Sequence, residues 1–326
     1  MHARPQSSTT ALAWRVVITL ALLWAVGVGL AIPAHAQTVT WSVVPADAGG
    51  PDGRVSLRHT LEPGQRVQDA IAVTNSGDVP ATFVVAVGDG VAGPDGAFDI
   101  DARSHDGAGG WITVQGTDNG SLTLAPGASV VLPVHIDVPA TALPGDHPAG
   151  ITVGVVQGAD VQLNYRVGVR LHLQVAGEIR PALGVDAVST RFEPSWIPFA
   201  PGTLSVDYRI TNDGNVRLGA AGRVSVSGPF GLAATDSEPD EVTELLPGDA
   251  RERTVTFAVP SLFWLNGQLT VTPRAVGQDA LSLPDATTVA LAAPAASWTG
   301  SAALALAIGA AVLVIRRRRS VSGASG

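Results

Sequence analysis

The chain contains no cysteine and no lysine. The first absence rules out disulfide frameworks, thiol nucleophiles and Cys-based metal sites, even where export would permit disulfides. The second leaves arginine as the only strong base, which is a coding bias and not a functional signal. Catalytic signatures are missing too. No Gly-x-Ser-x-Gly, phosphate loop, His-x-x-x-His or His-Glu pair occurs, and the reading is of a non-enzymatic chain with no resident cofactor. Acidic residues are absent from both ends: all 28 lie between the apolar segments Val16–Ile32 and Trp298–Ile315.

Those two segments organise the molecule. Arg4 and Arg15, the apolar run Val16–Ile32 and the small residues of Ala34-His35-Ala36 form the three parts of a secretory signal, with cleavage expected between Ala36 and Gln37. The segment from Trp298 to Ile315 has 18 residues and no charge. At ~1.5 Å per residue it reaches about 27 Å, enough for a hydrocarbon core. Arg316, Arg317, Arg318 and Arg319 follow at once, and Trp298 marks the outer interface. The expectation is a single-pass protein with an extracellular ectodomain and a cytoplasmic C-terminus. A sortase-type wall anchor is not read here, because Leu283-Pro284-Asp285-Ala286-Thr287 misplaces the threonine of Leu-Pro-x-Thr-Gly and lacks its glycine.

Between the ends the charge is strongly one-sided, with 14 arginines against 28 carboxylates and hence a net charge of −14. Such a surface disfavours nucleic acid and anionic lipid as partners.

The hydropathy pattern is that of strands. Val161–Val175 alternates apolar and polar residues throughout, as do Leu204–Thr211 and Thr254–Val259. Pro-Gly and Asn-x-Gly turns separate such runs, and no sustained helical period intervenes. An internal repeat sharpens the reading. Val73-Thr74-Asn75-Ser76-Gly77 recurs as Ile210-Thr211-Asn212-Asp213-Gly214. Pro126-Gly127 with Val138-Pro139 recurs as Pro247-Gly248 with Val259-Pro260. The first copy is longer by about 16 residues, an insertion placed in 88–110. The fold class is therefore all-β, with two tandem Ig-like β-sandwich domains, an N-terminal signal peptide and one C-terminal transmembrane helix. The expected division is signal peptide 1–36, first sandwich 37–180, second sandwich 181–290, juxtamembrane linker 291–297, transmembrane helix 298–315 and basic cytoplasmic tail 316–326.

Leu61-Glu62-Pro63-Gly64, Val73-Thr74-Asn75, the Asp/Gly-rich loop before Trp111 and Leu124-Ala125-Pro126-Gly127 together resemble the WxL-interacting proteins, a family of bacterial surface proteins. Val138-Pro139 followed by Gly145-Asp146-His147-Pro148-Ala149-Gly150-Ile151 carries most of that resemblance, which covers roughly residues 39–176. It implies an Ig-like first domain that binds cell-wall peptidoglycan, with another surface protein, of WxL type, as a second partner.

Candidate binding residues follow from chemistry and resemblance together. Trp111 closes the inserted loop and could stack on a sugar ring. Asp146 and His147 sit beside permissive glycines. Asp95, Asp99, Asp101 and Asp106 cluster in the insertion, where Ca²⁺ would suit them, although Asp is also ordinary loop chemistry. Trp41, Trp196 and Trp264 are read as core, and His135 and His172 as solvated outward positions. The alternative function is a strand-exchange, chaperone-like assembly factor for surface structures.

Overall fold

A computed structural model describes residues 39–94, 96–155, 166–197, 200–261, 263–277, 281–296 and 298–322. The signal segment, with Ala36 and Gln37, lies outside the described residues, as do Asp95 and 156–165. The first domain contains β1 (Trp41–Asp47), β2 (Gly50–Pro51), β3 (Leu57–Leu61), β4 (Arg66–Asn75), β5 (Ala81–Ala92), β6 (Phe98–Asp101), β7 (Ile112–Val114), β8 (Ser121–Leu124), β9 (Ser129–Asp137), β10 (Gly145–Val155) and β11 (Arg166–Val175). The second contains β12 (Leu183–Glu193), β13 (Gly202–Asn212), β14 (Leu218–Ser227), β15 (Thr235–Asp236), β16 (Asp240–Leu245), β17 (Ala250–Val259), β18 (Trp264–Ala275) and β19 (Thr287–Pro294). The helix α1 (Trp298–Ser322) closes the chain.

Both domains are Ig-like sandwiches with one wiring. In the first, β2-β1-β4-β9-β7 faces β3-β11-β10-β5, and β6 and β8 both pair with β5. In the second, β12-β13-β17 faces β19-β18-β14, and β15 and β16 both pair with β14. Alternation decides what is buried. Leu204, Val206, Tyr208 and Ile210 point inward from β13, and Val169, Leu171, Leu173 and Val175 from β11. Each such side chain contributes about 1.5–3 kcal/mol by leaving water.

The sequence repeat has a physical basis at its two asparagines. Asn75 and Asn212 are fully buried. Each donates from Nδ2 to two carbonyls, Val79 and Leu124 in one domain, Val216 and Leu245 in the other. Each accepts at Oδ1 from the N–H two residues on, Gly77 or Gly214. One amide side chain thereby ties the end of a strand to the chain that returns along the opposite sheet, and a buried amide with all these partners is well placed.

The insertion comprises β6, the 3-10 turn Ala108–Trp111 and β7. β7 crosses to pair with β9, while β6 returns over the outer face of β10 and β11. Ile100 rests there on Gly150 and Gly168, where an added Cβ would meet its side chain. Asp89 fastens the rest of the loop. It accepts from Ser104 Oγ at 2.6 Å, Gly107 N at 3.0 Å and Gly109 N at 2.7 Å. Burial raises this carboxyl, but those three donors outweigh it and hold the group below the usual carboxylate range.

Three expectations change, and a fourth finds no support. Trp196 and Trp264 are exposed, at 82% and 50%, and belong to no core. Trp41 does pack inward, tilted on Phe83 at 5.9 Å with Nε1 donating to Val153 O. Residues 291–295 of the expected linker belong to the second sandwich, because β19 runs to Pro294 and Leu291, Ala293 and Ala295 are buried in the second core. His172 is not a solvated outward residue, since the second domain covers it. Finally, the expected membrane segment is one helix, α1, but among the described residues no helix is long and apolar enough to cross a membrane.

Candidate functional site

The outward positions of β11 read Arg166, Gly168, Arg170, His172 and Gln174. This face meets the second domain, because the linker that follows β11 turns the chain directly into β12. Asn215 makes the turn rigid. Its Nδ2 donates to Pro144 O at 2.9 Å and Glu178 O at 2.8 Å, and its Oδ1 accepts from Arg180 N at 2.7 Å. Its carbonyl accepts from Asp146 N at 2.7 Å. The two sandwiches are thus joined along a face of the first, not only end to end.

Charge concentrates at this joint. Arg217 is almost wholly buried, with its backbone N–H on Asp146 Oδ2 at 2.9 Å and its Nη1 against His172 Nδ1. Its Nε has no hydrogen-bond partner. Glu244 lies 3.7 Å from Arg217 Nη1 and accepts from Arg170 Nη1 at 2.9 Å. Arg170 also covers the Phe98 ring, 4.0 Å from its centroid. Arg251 completes the contact, donating from Nη2 to Gly96 O of the insertion at 2.6 Å.

A cavity of about 230 Å³ opens between these groups. Arg58 of β3 lines its mouth, exposed, beside His172, Asp146, Arg217 and Glu244. Two arginines, Arg58 and Arg217, and two carboxylates, Asp146 and Glu244, thus share the lining, and Arg170 reaches Glu244 from beside it. His172 cannot add to the positive charge. Burial first, then Arg217, Arg58 and Arg170, push its imidazole down to about 3. Burial likewise lowers the Arg217 guanidinium from its ordinary value, against the pull of Asp146 and Glu244. In the lining Arg58 and Arg217 balance Asp146 and Glu244, and the exposed Arg58 at the mouth offers a guanidinium suited to an anionic group.

Beside the cavity runs a strand edge. β10 pairs with β11 along its length, down to Arg166. On the other side β3 reaches only Leu171–Val175, in parallel. Among the described residues, Arg166–Arg170 thus pair on one side alone, and Val167 is 40% exposed. Such an edge offers unpaired amides and carbonyls to another strand.

The residues expected to bind do not form one site. Trp111 and His147 come together, their rings tilted at 4.8 Å, and His147 Nε2 lies 2.8 Å from Leu143 O. Asp146, the next residue along the strand, points the other way into the joint, where Gln174 Nε2 and Arg217 N hold it. Asp99 takes both contacts of Arg166 Nη2, at 2.8 and 2.7 Å. Asp101 turns to Arg103, at 3.2 Å from Nε. Among the described residues no three His or acidic side chains gather as a metal site. Arg58, Arg170, Arg217 and Glu244 were not singled out by the sequence, and His172 was read only as a solvated outward residue. The available signal was a run of basic residues on one face of one strand in an otherwise acidic domain.

No protein-family model matches the chain, and no curated protein matches it. Among solved structures it is similar to the class 5 fimbriae chaperone CfaA, at 9% identity over 77% of this chain and 98% of that one, with a TM-score of 0.36. It is similar also to the E. coli chaperone DraB, at 12% identity over 73% and 93%, with a TM-score of 0.33. A PapD-like domain of human CEP192 shows 14% identity over 46% of this chain and 94% of that one, with a TM-score of 0.29. Likeness of this degree bears on neither partner nor activity.

Proposed function

We propose that the protein is an exported, non-enzymatic binder that takes a segment of another surface protein onto the edge of β11. The one-sided pairing of Arg166–Arg170 beside the cavity that Arg58 lines carries this reading. Main-chain hydrogen bonds to the open edge would supply affinity, and Val167 an apolar contact for alternate side chains of the incoming strand. Arg58 would take an acidic group of that partner. The same reading keeps the topology expected from the sequence: export through the N-terminal signal, α1 as a membrane anchor, and Arg316–Arg319 on the cytoplasmic side. Tethering raises the effective concentration of both partners, so modest affinity suffices.

The wall-polymer function implied by the family resemblance rests on Trp111 as a sugar platform. That indole already lends part of its face to His147, which weakens it as a free stacking surface. Nothing in the geometry favours Ca²⁺ at Asp99 or Asp101, whose oxygens meet arginines instead.

A photo-crosslinking amino acid placed at Val167 of the full chain in its native envelope tests the proposal, with Thr288 on the edge strand β19 as control. The expected result is a protein adduct at 167 that is absent at 288 and weakened by Arg58→Glu. Equal labelling at both positions would sink it. Saturable cosedimentation with protein-free sacculi, abolished by Trp111→Ala, would restore the wall-polymer function in its place.

A further inference from the structure

Four segments of the second domain meet at the pole from which α1 departs: 194–197, 228–234, 263–264 and 294–296. The registers place them there, with Gly202 opposite Val259, Ser227 opposite Asn266 and Trp264 opposite Pro294. None of the four contains a charged residue. The opposite pole, at the joint, carries Glu178, Arg180, Asp213 and Asp249. In a molecule this acidic, an uncharged pole is a marked departure.

The same pole exposes large apolar side chains. Trp196 is 82% exposed, Phe230 101%, Leu232 60% and Trp264 50%, with Ile197 and Phe263 beside them. Outside α1, only Val55, Leu143 and Val167 are large, apolar and comparably exposed among the described residues. Phe230 sits at φ 59, a conformation disfavoured for a bulky residue, and its ring projects from the tip of a tight turn. The collar is continuous with the helix, since Trp298 donates from Nε1 to Trp196 O at 3.2 Å.

We infer that this uncharged aromatic collar seats the second domain in the headgroup layer of a phospholipid bilayer, around the entry point of α1. The inference rests on the proposal that α1 enters the bilayer. Indoles and phenyl rings are stable at that depth, with an apolar body and, for tryptophan, a polar edge. An acidic surface pressed against anionic headgroups would be repelled, and the collar removes charge only where that contact would occur. A helix in the membrane holds the surface around its first residue against lipid, so lipid is the occupant the geometry selects.

Tryptophan quenching decides the matter. The chain carries Trp14, Trp24, Trp41, Trp111, Trp196, Trp264 and Trp298, of which the last five remain after cleavage at Ala36. The protein is reconstituted in phosphatidylcholine vesicles with bromine near the headgroup end of the acyl chains. Wild type is compared with the conservative double variant Trp196→Phe, Trp264→Phe. With the collar in lipid, roughly three of five indoles are quenched in wild type and one of three in the variant, so the quenched fraction falls. With only α1 inserted, the fraction rises from roughly one in five to one in three. The sign of the change is the same if the signal segment is retained. A rise overturns the collar and leaves the anchor standing, and a concentration-dependent dimer would then assign the pole to a second copy. Absence of quenching in both proteins overturns anchor and collar together.

Discussion

At the scale of single residues, the two buried asparagines are the most exacting positions. Replacing Asn75 or Asn212 by alanine strands two carbonyls and one N–H in the interior. Each substitution is expected to cost about 3 kcal/mol in urea unfolding, from unsatisfied groups at roughly 1–3 kcal/mol apiece. A loss under about 0.5 kcal/mol would show that water replaces the amide. His172 sets a pH dependence. Its folded value of about 3 lies below the ordinary 6.5, so the unfolded chain takes up a proton first on acidification. The stabilising contribution of the neutral imidazole is complete above about 6.5 and is lost as pH falls from there toward 3. Thermal unfolding between pH 7 and pH 4 should therefore be less pH-dependent in His172→Gln than in wild type. Parallel curves would remove His172 from the joint's energetics.

At the scale of elements, β strands were legible where alternation was long and the residues are described: of Val161–Val175, the part from Arg166 on is β11. Val255–Val259 and Leu204–Ile210 fall in β17 and β13 as read, and the repeated Thr-Asn-x-Gly marks the same corner twice. What alternation could not give is the occupant of an outward face. Arg170 and His172 occupy outward positions on β11, and period two says only that they leave the first core. That a second domain and a folded-back β6 lie over them depends on contacts far apart in sequence. The insertion illustrates the same limit: its length was visible, but its return over Gly150 and Gly168 was not. Asp89 holds that insertion in place, so Asp89→Ala should raise amide exchange across 101–111 while β10 and β11 keep their protection. Unchanged exchange in 101–111 would mean that Ile100 and the β6 pairing suffice alone.

At the scale of the whole molecule, the joint makes two repeats into one body. Asn215 and Arg217 reach across from the second domain, and Arg251 meets the insertion of the first. Asn215→Ala should leave each sandwich folded but widen the distribution of interdomain distances in small-angle scattering. Scattering identical to wild type would show that the ion pairs hold the joint without it. The aromatic pole escaped the sequence reading for a simple reason. Its four segments are separated by up to a hundred residues, and each alone looks like an ordinary turn.

The arrangement of chain ends has a mechanical consequence. β19 ends at Pro294 and α1 begins at Trp298, whereas the open edge of β11 lies across the joint in the other domain. A pull between that edge and the helix would run through both sandwiches in series, with the short connection 176–182 as the only covalent link between them. Arg170–Glu244, Arg251–Gly96 and the Asn215 bonds bridge the same gap at short range and without slack. Tension would reach them before it straightened the connection, so the joint would yield stepwise, and each sandwich would keep its shape until the clasp between them had opened.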